Sequence, residues 1–246
     1  MWTQCMPNLS SIKLEGLEMS STIPASCDFR NFQRLTHFTA TRLRWAKIPL
    51  LPSTVTHFVF RHQPIQRLLT IDILAYQLPN LIYLDLSHNN CITNQVISAY
   101  LSGLACPSPL RSLNISGCIR VDASELSWLL DSGHCDYLEE LKLAGLDTFD
   151  DQVTREMGRL KWLRAIDLSQ TKVTGAGLMN IVNGVGRERA RKLGREKGLD
   201  WVNLEQCEGV GLDAIELARK LGVEVTYRPQ NAKNVKAKKV GYWYDA

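Results

Sequence analysis

The sequence lacks any apolar run approaching the roughly 20 residues a helix needs to cross a bilayer. Its N-terminus, Met1-Trp2-Thr3-Gln4-Cys5, has neither the charged n-region nor the apolar h-region of a secretory signal. No C-x-x-C pair occurs among its seven cysteines, Cys5, Cys27, Cys91, Cys106, Cys118, Cys135 and Cys207. An odd, scattered set argues against a disulfide framework or a zinc ribbon. The expectation is reduced thiols in an intracellular protein, nuclear or cytoplasmic. Net charge is only +4, from 29 basic and 25 acidic residues, so total charge does not point to nucleic acid and local placement has to decide. Also missing are a phosphate-binding glycine loop, a G-x-S-x-G elbow, an H-E-x-x-H motif and an EF-hand loop. Gly184-Val185-Gly186 follows a helical pattern, the wrong context for a nucleotide fingerprint. Neither enzyme chemistry nor a cofactor or metal is expected. The chain does have 246 residues, 45% of them hydrophobic, which is enough for a sizeable core and excludes wholesale disorder.

What is present is a repeat. Leu81-Ile82-Tyr83-Leu84-Asp85-Leu86-Ser87-His88-Asn89 fits L-x-x-L-x-L-x-x-N at every fixed position, and residues 110–118 repeat it with Ile115 for the third Leu and Cys118 for the Asn. The frame recurs in Leu138, Leu141, Leu143 and Leu146, in Leu163, Ile166, Leu168 and Thr171, and in Leu199, Val202, Leu204 and Cys207. Looser copies begin at Leu9, Leu35 and Val55. First positions at 9, 35, 55, 81, 110, 138, 163 and 199 give steps of 26, 20, 26, 29, 28, 25 and 36. All but the last lie within the period of about 20 to 29 residues typical of leucine-rich repeats.

Over roughly residues 7–228 the chain therefore resembles leucine-rich-repeat proteins, and Asn89, Cys118 and Cys207 at the ninth position resemble the cysteine-containing subtype common in F-box proteins. The resemblance implies an α/β solenoid in one domain over 1–228, a right-handed horseshoe with a concave parallel sheet of about eight strands and helices on its convex side. A basic insert at 186–198 accounts for the long last step, and 229–246 forms a basic and then aromatic tail. Alternation within each frame places Leu84, Leu86, Leu113, Leu141, Leu143 and Leu168 in the inner core. Apolar spacing predicts helices over 93–104, with Val96, Ala99, Tyr100 and Gly103 inward, and over 150–157, with Val153 and Met157 inward. It predicts two more around Leu178, Ile181, Val182 and Val185, and around Ala214, Leu217, Ala218 and Leu221 before Gly222. Asp122-Ala123-Ser124-Glu125 reads as a capping box, and Val223 to Tyr227 as a last strand.

The x positions beside the buried residues face the concave surface. His37, His57, Arg61, Tyr83, Asp85, Asn114, Lys142, Asp167, Trp201 and Glu205 are the candidate partner-binding residues. His37, His57 and Tyr83 share one column, with His62 and His88 in another. No acidic or cysteine partner stands in register with these histidines, so a protein-binding surface is expected instead of a metal site. Tyr83 and Trp201 are placed outward by the register, where aromatics are costly unless a partner or, for Trp201, the tail covers them. Arg42, Arg44, Lys47, Arg61 and Arg67 toward one end and Glu140, Asp167 and Glu205 toward the other suit an extended partner carrying both signs. The basic insert and Lys233, Lys236, Lys238 and Lys239 of the tail read as a nuclear-import or nucleic-acid element or as solvated surface. Tyr242-Trp243-Tyr244 reads as a cap on the last repeat.

By that resemblance the chain is a non-catalytic protein–protein interaction module, the substrate-recognition part of an F-box-type (SCF) ubiquitin ligase. Its partners would be a protein substrate on the concave face and a cullin with its adaptor, reached through an F-box that would precede the repeats and does not stand ahead of Leu9. Two other classes remain open at this stage: a free-standing scaffold or regulatory subunit, and a nuclear nucleic-acid-associated factor.

Overall fold

The structure, a computed structural model, describes residues 6, 8–16, 28–43, 48–63, 74–104, 109–123, 126, 135–194 and 197–228. They form two compact units, the first ending at Val121 and the second beginning at Asp122. In the first unit five parallel strands stand in chain order: β1 (Ser11–Glu15), β2 (His37–Thr41), β3 (His57–Arg61), β4 (Tyr83–Asp85) and β5 (Ser112–Asn114). The second unit holds β6 (Glu140–Lys142), β7 (Ala165–Asp167), β8 (Trp201–Asn203) and β9 (Glu224–Thr226), again parallel and in order. Equivalent repeat positions pair with each other, Phe38 with Phe58, Leu84 with Leu113 and Ile166 with Val202. β9 extends the ladder by one strand beyond the eight frames.

In-phase pairing stacks the fourth and sixth positions into continuous apolar columns. Phe38, Phe58, Phe60, Leu84, Leu86 and Leu113 in the first unit are each 2% exposed or less, as are Leu141, Leu143, Ile166, Leu168, Val202 and Leu204 in the second. The six leucines expected in the inner core are all there. Each such side chain contributes about 2 kcal/mol by leaving water, and stacking in phase lets every repeat supply the wall its neighbour needs.

Past the end of each strand, at the eighth position, the backbone turns left-handed in every frame. Gly16, Gly117 and Gly145 occupy it at φ 63°, 65° and 70°, and Arg42, His62, His88, Gln170 and Gln206 occupy it at φ between 52° and 61°. The turn carries the chain out of the sheet without wasting its amide. Arg42 donates its N–H to the Arg61 carbonyl at 3.1 Å, His88 to Ser116 at 2.8 Å and Gln170 to Glu205 at 2.9 Å. The ninth side chain then satisfies what the turn leaves open. Asn89 Nδ2 donates to the carbonyl of Phe60 at 2.6 Å, Cys118 Sγ to Leu86 at 3.2 Å and Cys207 Sγ to Leu168 at 3.0 Å, each acceptor being the sixth residue of the preceding frame. Burial pushes the Cys118 thiol up to about 12, so it stays protonated and keeps its donor.

Among the described residues the first unit has helices α1 (Leu74–Gln77) and α2 (Asn94–Ser102). The second has α3 (Asp151–Glu156), which runs into a 3-10 turn at Met157–Arg159, then α4 (Gly175–Gly184), α5 (Arg187–Leu193) and α6 (Leu212–Lys220). Thr93, Asp150 and Thr174 cap α2, α3 and α4 with their side-chain oxygens. Val153 and Met157 point inward as expected, as do Leu178, Ile181, Val182 and Val185. Two helix faces differ. In α2 the buried apolar side chains are Ile97, Tyr100 and Leu101, while Ala99 is exposed. In α6 they are Ile215 and Ala218, and Leu217 is 47% exposed. In each helix the alternative stripes both have helical spacing, and the packed face is turned about one residue from the one expected, taking Ile97 and Leu101 in α2 and Ile215 in α6. No helix among the described residues is long and apolar enough to cross a membrane. Ser124 and Glu125 of the expected capping box, Arg44, Lys47, Arg67 and the tail from residue 229, with Lys233, Lys236, Lys238, Lys239 and Tyr242–Tyr244, lie outside the described residues.

Candidate functional site

The third, fifth and seventh positions line one face of each unit's strands, and that face is polar but largely closed. In the first unit the His37 and His57 rings stack at 4.2 Å, and His57 stacks on Tyr83 at 5.9 Å. In-register parallel pairing forces this, because residues 37, 57 and 83 are direct neighbours across β2, β3 and β4. The Thr36 and Thr56 hydroxyls lie 2.8 and 2.9 Å from Nδ1 of His37 and His57. Burial, and then the adjacent His37, lower the His57 pKa.

Asp85 has no exposed surface and is the hub of the first unit's face. Its Oδ2 is 2.5 Å from Arg61 Nη2 and accepts from Asn114 Nδ2 at 2.7 Å and the Tyr83 hydroxyl at 3.3 Å. Its Oδ1 accepts from the Ser87 N–H at 2.9 Å and the Ser87 hydroxyl at 2.7 Å. Burial works against the Arg61 charge, but the Asp85 carboxylate beside it outweighs that and raises the Arg61 pKa. Burial, then the Asp85 charge, raises the Tyr83 phenol, which stays protonated and donates. Tyr83, expected to stand outward, is 3% exposed, covered by its own chain.

The second unit repeats the logic with different partners. Glu140 has no exposed surface, and its Oε1 lies 2.5 Å from Arg164 Nη2. Asp167 Oδ1 accepts from the Ser169 N–H at 3.0 Å and the Ser169 hydroxyl at 2.8 Å. Trp201, the other aromatic expected outward, is 6% exposed and its indole N–H donates to Thr226 Oγ1 at 3.0 Å. Part of its cover is therefore β9, an element the eight frames did not contain. Lys142, Asp167 and Glu205 are half-buried on this face.

An Asp or Asn at the fifth position accepting the seventh residue's N–H recurs at Asp85, Asn114, Asp167 and Asn203. The strand amides near the left-handed turn need an acceptor, and a short side chain two residues back supplies it. Sequence reasoning treated Asp85, Asn114 and Asp167 as partner contacts and missed this second role. The signal was available as D or N at one fixed frame position in four consecutive or near-consecutive repeats.

The basic insert is folded onto the second unit. The Arg189 guanidinium is bidentate to Asp200, at 2.9 and 2.7 Å, and also donates to the Gly198 carbonyl. Arg191 pairs with Glu188, Arg187 Nε reaches the Asn183 carbonyl, Lys197 reaches Asn183 Oδ1 at 2.8 Å and Lys192 sits 5.2 Å over the Trp162 ring. Every described Lys or Arg of the insert thus has an intramolecular partner. Gly186 and Gly198 close its base so tightly that a Cβ on Gly198 would overlap the Gly186 carbonyl. Among the described residues no group of three or more His, Cys, Asp or Glu is arranged to hold a metal.

Residues 77–95, which span β4 and its ninth-position Asn89, match the family described as Leucine Rich repeat. The repeat is a leucine-rich repeat. No curated protein matches the chain. Among solved structures, that titled "Crystal structure of Rad7 and Elc1 complex in yeast" aligns at a TM-score of 0.48 and 14% identity, covering 88% of this chain and 61% of that chain. This chain thus spans less than two thirds of the length of the chain it aligns with. Leucine-rich repeats with the strand order, left-handed turn and ninth-position donors seen here form an α/β solenoid.

Proposed function

We propose that the chain is a non-catalytic, protein-binding leucine-rich-repeat module whose partner lies across the strand face. The surface comprises the half-buried His37, His57 and Arg61 in the first unit and Lys142, Asp167 and Glu205 in the second, held in place by the buried Tyr83, Asp85 and Asn114 and by the buried Trp201 of the same units. The observation that carries the reading is the fixed geometry of this polar face. Its buried acids are neutralised within the chain, so the half-buried groups beside them are held in place before any partner arrives, and binding loses little to ordering. Asp85 and Glu140 fix Arg61 and Arg164 by short ion pairs, and the partner reads the accessible edges of such pairs with the flanking Lys142 and Glu205.

The narrower form of the proposal is the substrate-recognition part of an F-box-type ubiquitin ligase. Support comes from the ninth-position Asn89, Cys118 and Cys207, whose donors serve the preceding repeat as that subtype's frame requires. Affinity purification of the full-length gene product tests both levels. Lys142→Glu combined with Glu205→Lys should weaken capture of the co-purifying protein about tenfold while melting is unchanged. Capture lost only on substituting α2 or α6 would move the site to the helices. Co-purification of a cullin adaptor supports the ligase form, and a partner captured without one supports a free-standing scaffold. Of the insert's described basic residues Arg189 is spent on the half-buried Asp200 pair while Arg191 remains exposed, and a steep fall of DNA or RNA binding with salt would support the nucleic-acid-associated reading instead.

A further inference from the structure

The eighth-position column of the first unit carries side chains where glycine is the easy choice. It runs Gly16, Arg42, His62, His88, Gly117, all at positive φ. Glycine bounds the row on both sides, and each of the three residues between is cationic or can become so. Non-glycine residues in this conformation are disfavoured, and such outliers gather where function keeps them. In the second unit the matching Gln170 and Gln206 simply join their amides, at 2.8 Å.

Arg42, His62 and His88 are exposed. The two imidazoles stack face to face at 4.4 Å and 4°. His88 lies over the backbone of Gly117, where a Cβ would strike its ring. The half-buried Arg61 sits beside His62 in sequence. Its Nη2 is spent on Asp85, and its Nε is buried without a hydrogen-bond partner. The groups facing His62 are His88, Arg42, Arg61 and, with opposite sign, Asp85. Burial first, then the three positive neighbours, lower the His62 pKa, and Asp85 only partly offsets them. Among the described residues the rim therefore holds more positive character than Asp85 neutralises, and an anion seated there would relieve the repulsion.

We propose that this rim, formed by Arg42, Arg61, His62 and His88, binds a short acidic peptide segment and that His62 takes up a proton as it does so. The row covers three strands about 4.8 Å apart and ends at glycine on both sides, a length that matches two or three carboxylates and not a long polyanion. Protonation and binding are linked: a carboxylate beside His62 favours the imidazolium, so acid strengthens binding. The rim adjoins the strand face but is tested separately from it, because the probe is a synthetic peptide and not the co-purified partner.

The experiment titrates the full chain with hexaglutamate by calorimetry at pH 5.5 and 7.5, with a single-stranded oligonucleotide of equal charge in parallel. Hexaglutamate should bind at least tenfold more tightly at pH 5.5, and adding it at fixed pH should move the His62 ring resonances toward their protonated positions. His62→Asn with His88→Asn, asparagine being well tolerated at positive φ, should abolish the pH dependence, and Arg42→Gln alone should weaken binding several-fold. The idea is overturned if the double variant binds as the parent does, if the ring resonances ignore the peptide, or if the oligonucleotide binds equally well. None of these outcomes touches the Lys142 and Glu205 test of the strand face.

Discussion

At Asp85, five donors from four residues converge on one buried carboxylate, whereas Asp167, at the equivalent position of another repeat, accepts only from Ser169 among the bonds described. The same frame position therefore carries very different energies. Asp85→Ala strands the half-buried Arg61 charge together with several donors and should cost roughly 3 to 5 kcal/mol. Asp167→Ala loses two hydrogen bonds from neutral donors at a half-buried site and strands no cation, and about 1 to 2 kcal/mol is expected. Urea denaturation of the two variants checks this, and equal losses would mean the Arg61 pair contributes nothing special. The histidines add a pH dependence whose sign is fixed by their surroundings. His57 and His62 have folded pKa values below the ordinary 6.5, so on acidification the unfolded chain takes up protons first. Stability should be at its plateau above that value and decline as pH falls through 6.5 toward the lowered folded values. Melting curves from pH 7.5 to 5 would show it, and His57→Gln should flatten the slope. A melting temperature that rises over this interval would contradict the assignment.

Among the elements, the insert departs furthest from a reading of charge alone. Its run of Arg and Lys reads as solvated or as an import signal, yet Arg189 lies inward, with side chains of the Arg189–Asp200 pair only 17% and 19% exposed. Composition reports charge but not its direction, and a three-residue shift along α5 separates Arg189 on Asp200 from Lys192 on Trp162. The helix faces of α2 and α6 were read only in part, with Tyr100 and Ala218 inward as expected, for a related reason: two apolar stripes of helical spacing compete, and spacing alone does not say which one meets the strands. The left-handed eighth position was only partly legible, since glycine marks it in three frames and Arg, His or Gln fills it in five. Arg189→Ala should take the bidentate guanidinium away from the mostly buried Asp200, at a cost of roughly 2 to 4 kcal/mol, and should expose residues 187–197 to trypsin in an otherwise folded chain. Gly198→Ala, which collides with backbone and not with a movable side chain, should give the same cleavage pattern. Trypsin sensitivity unchanged in both variants would show that the insert holds its place without these contacts.

For the whole chain, the strands and inner core were legible because the repeat states them eight times over, and any frame out of phase would have broken the apolar columns. The site was not legible in the same way. Register tells on which face a side chain stands but not what stands next to it, so Tyr83 and Trp201 read as uncovered until His57, Asp85 and Thr226 were seen around them. The same architecture sets how damage spreads. A repeat touches its neighbours and little else, so a defect in one column is felt by the units that stack on it. Leu113 sits in that position in the first unit: it is 2% exposed and pairs with Leu84 across β4 and β5. Leu113→Asp puts a carboxylate among Leu84, Leu86 and Ile115 with no cation in the column, at a cost of several kcal/mol against a total of about 5 to 15. The first unit should then lose its β4 and β5 ladder cooperatively, with the amides of Leu86 and His88, which donate to Asn114 and Ser116, among those that lose hydrogen-exchange protection. Lys13→Asp on β1, whose side chain is 69% exposed, serves as the control and should leave the exchange pattern unaltered. A Leu113→Asp protein that keeps its protection at Leu86 and His88 would show that the repeat register assigned to this column is wrong.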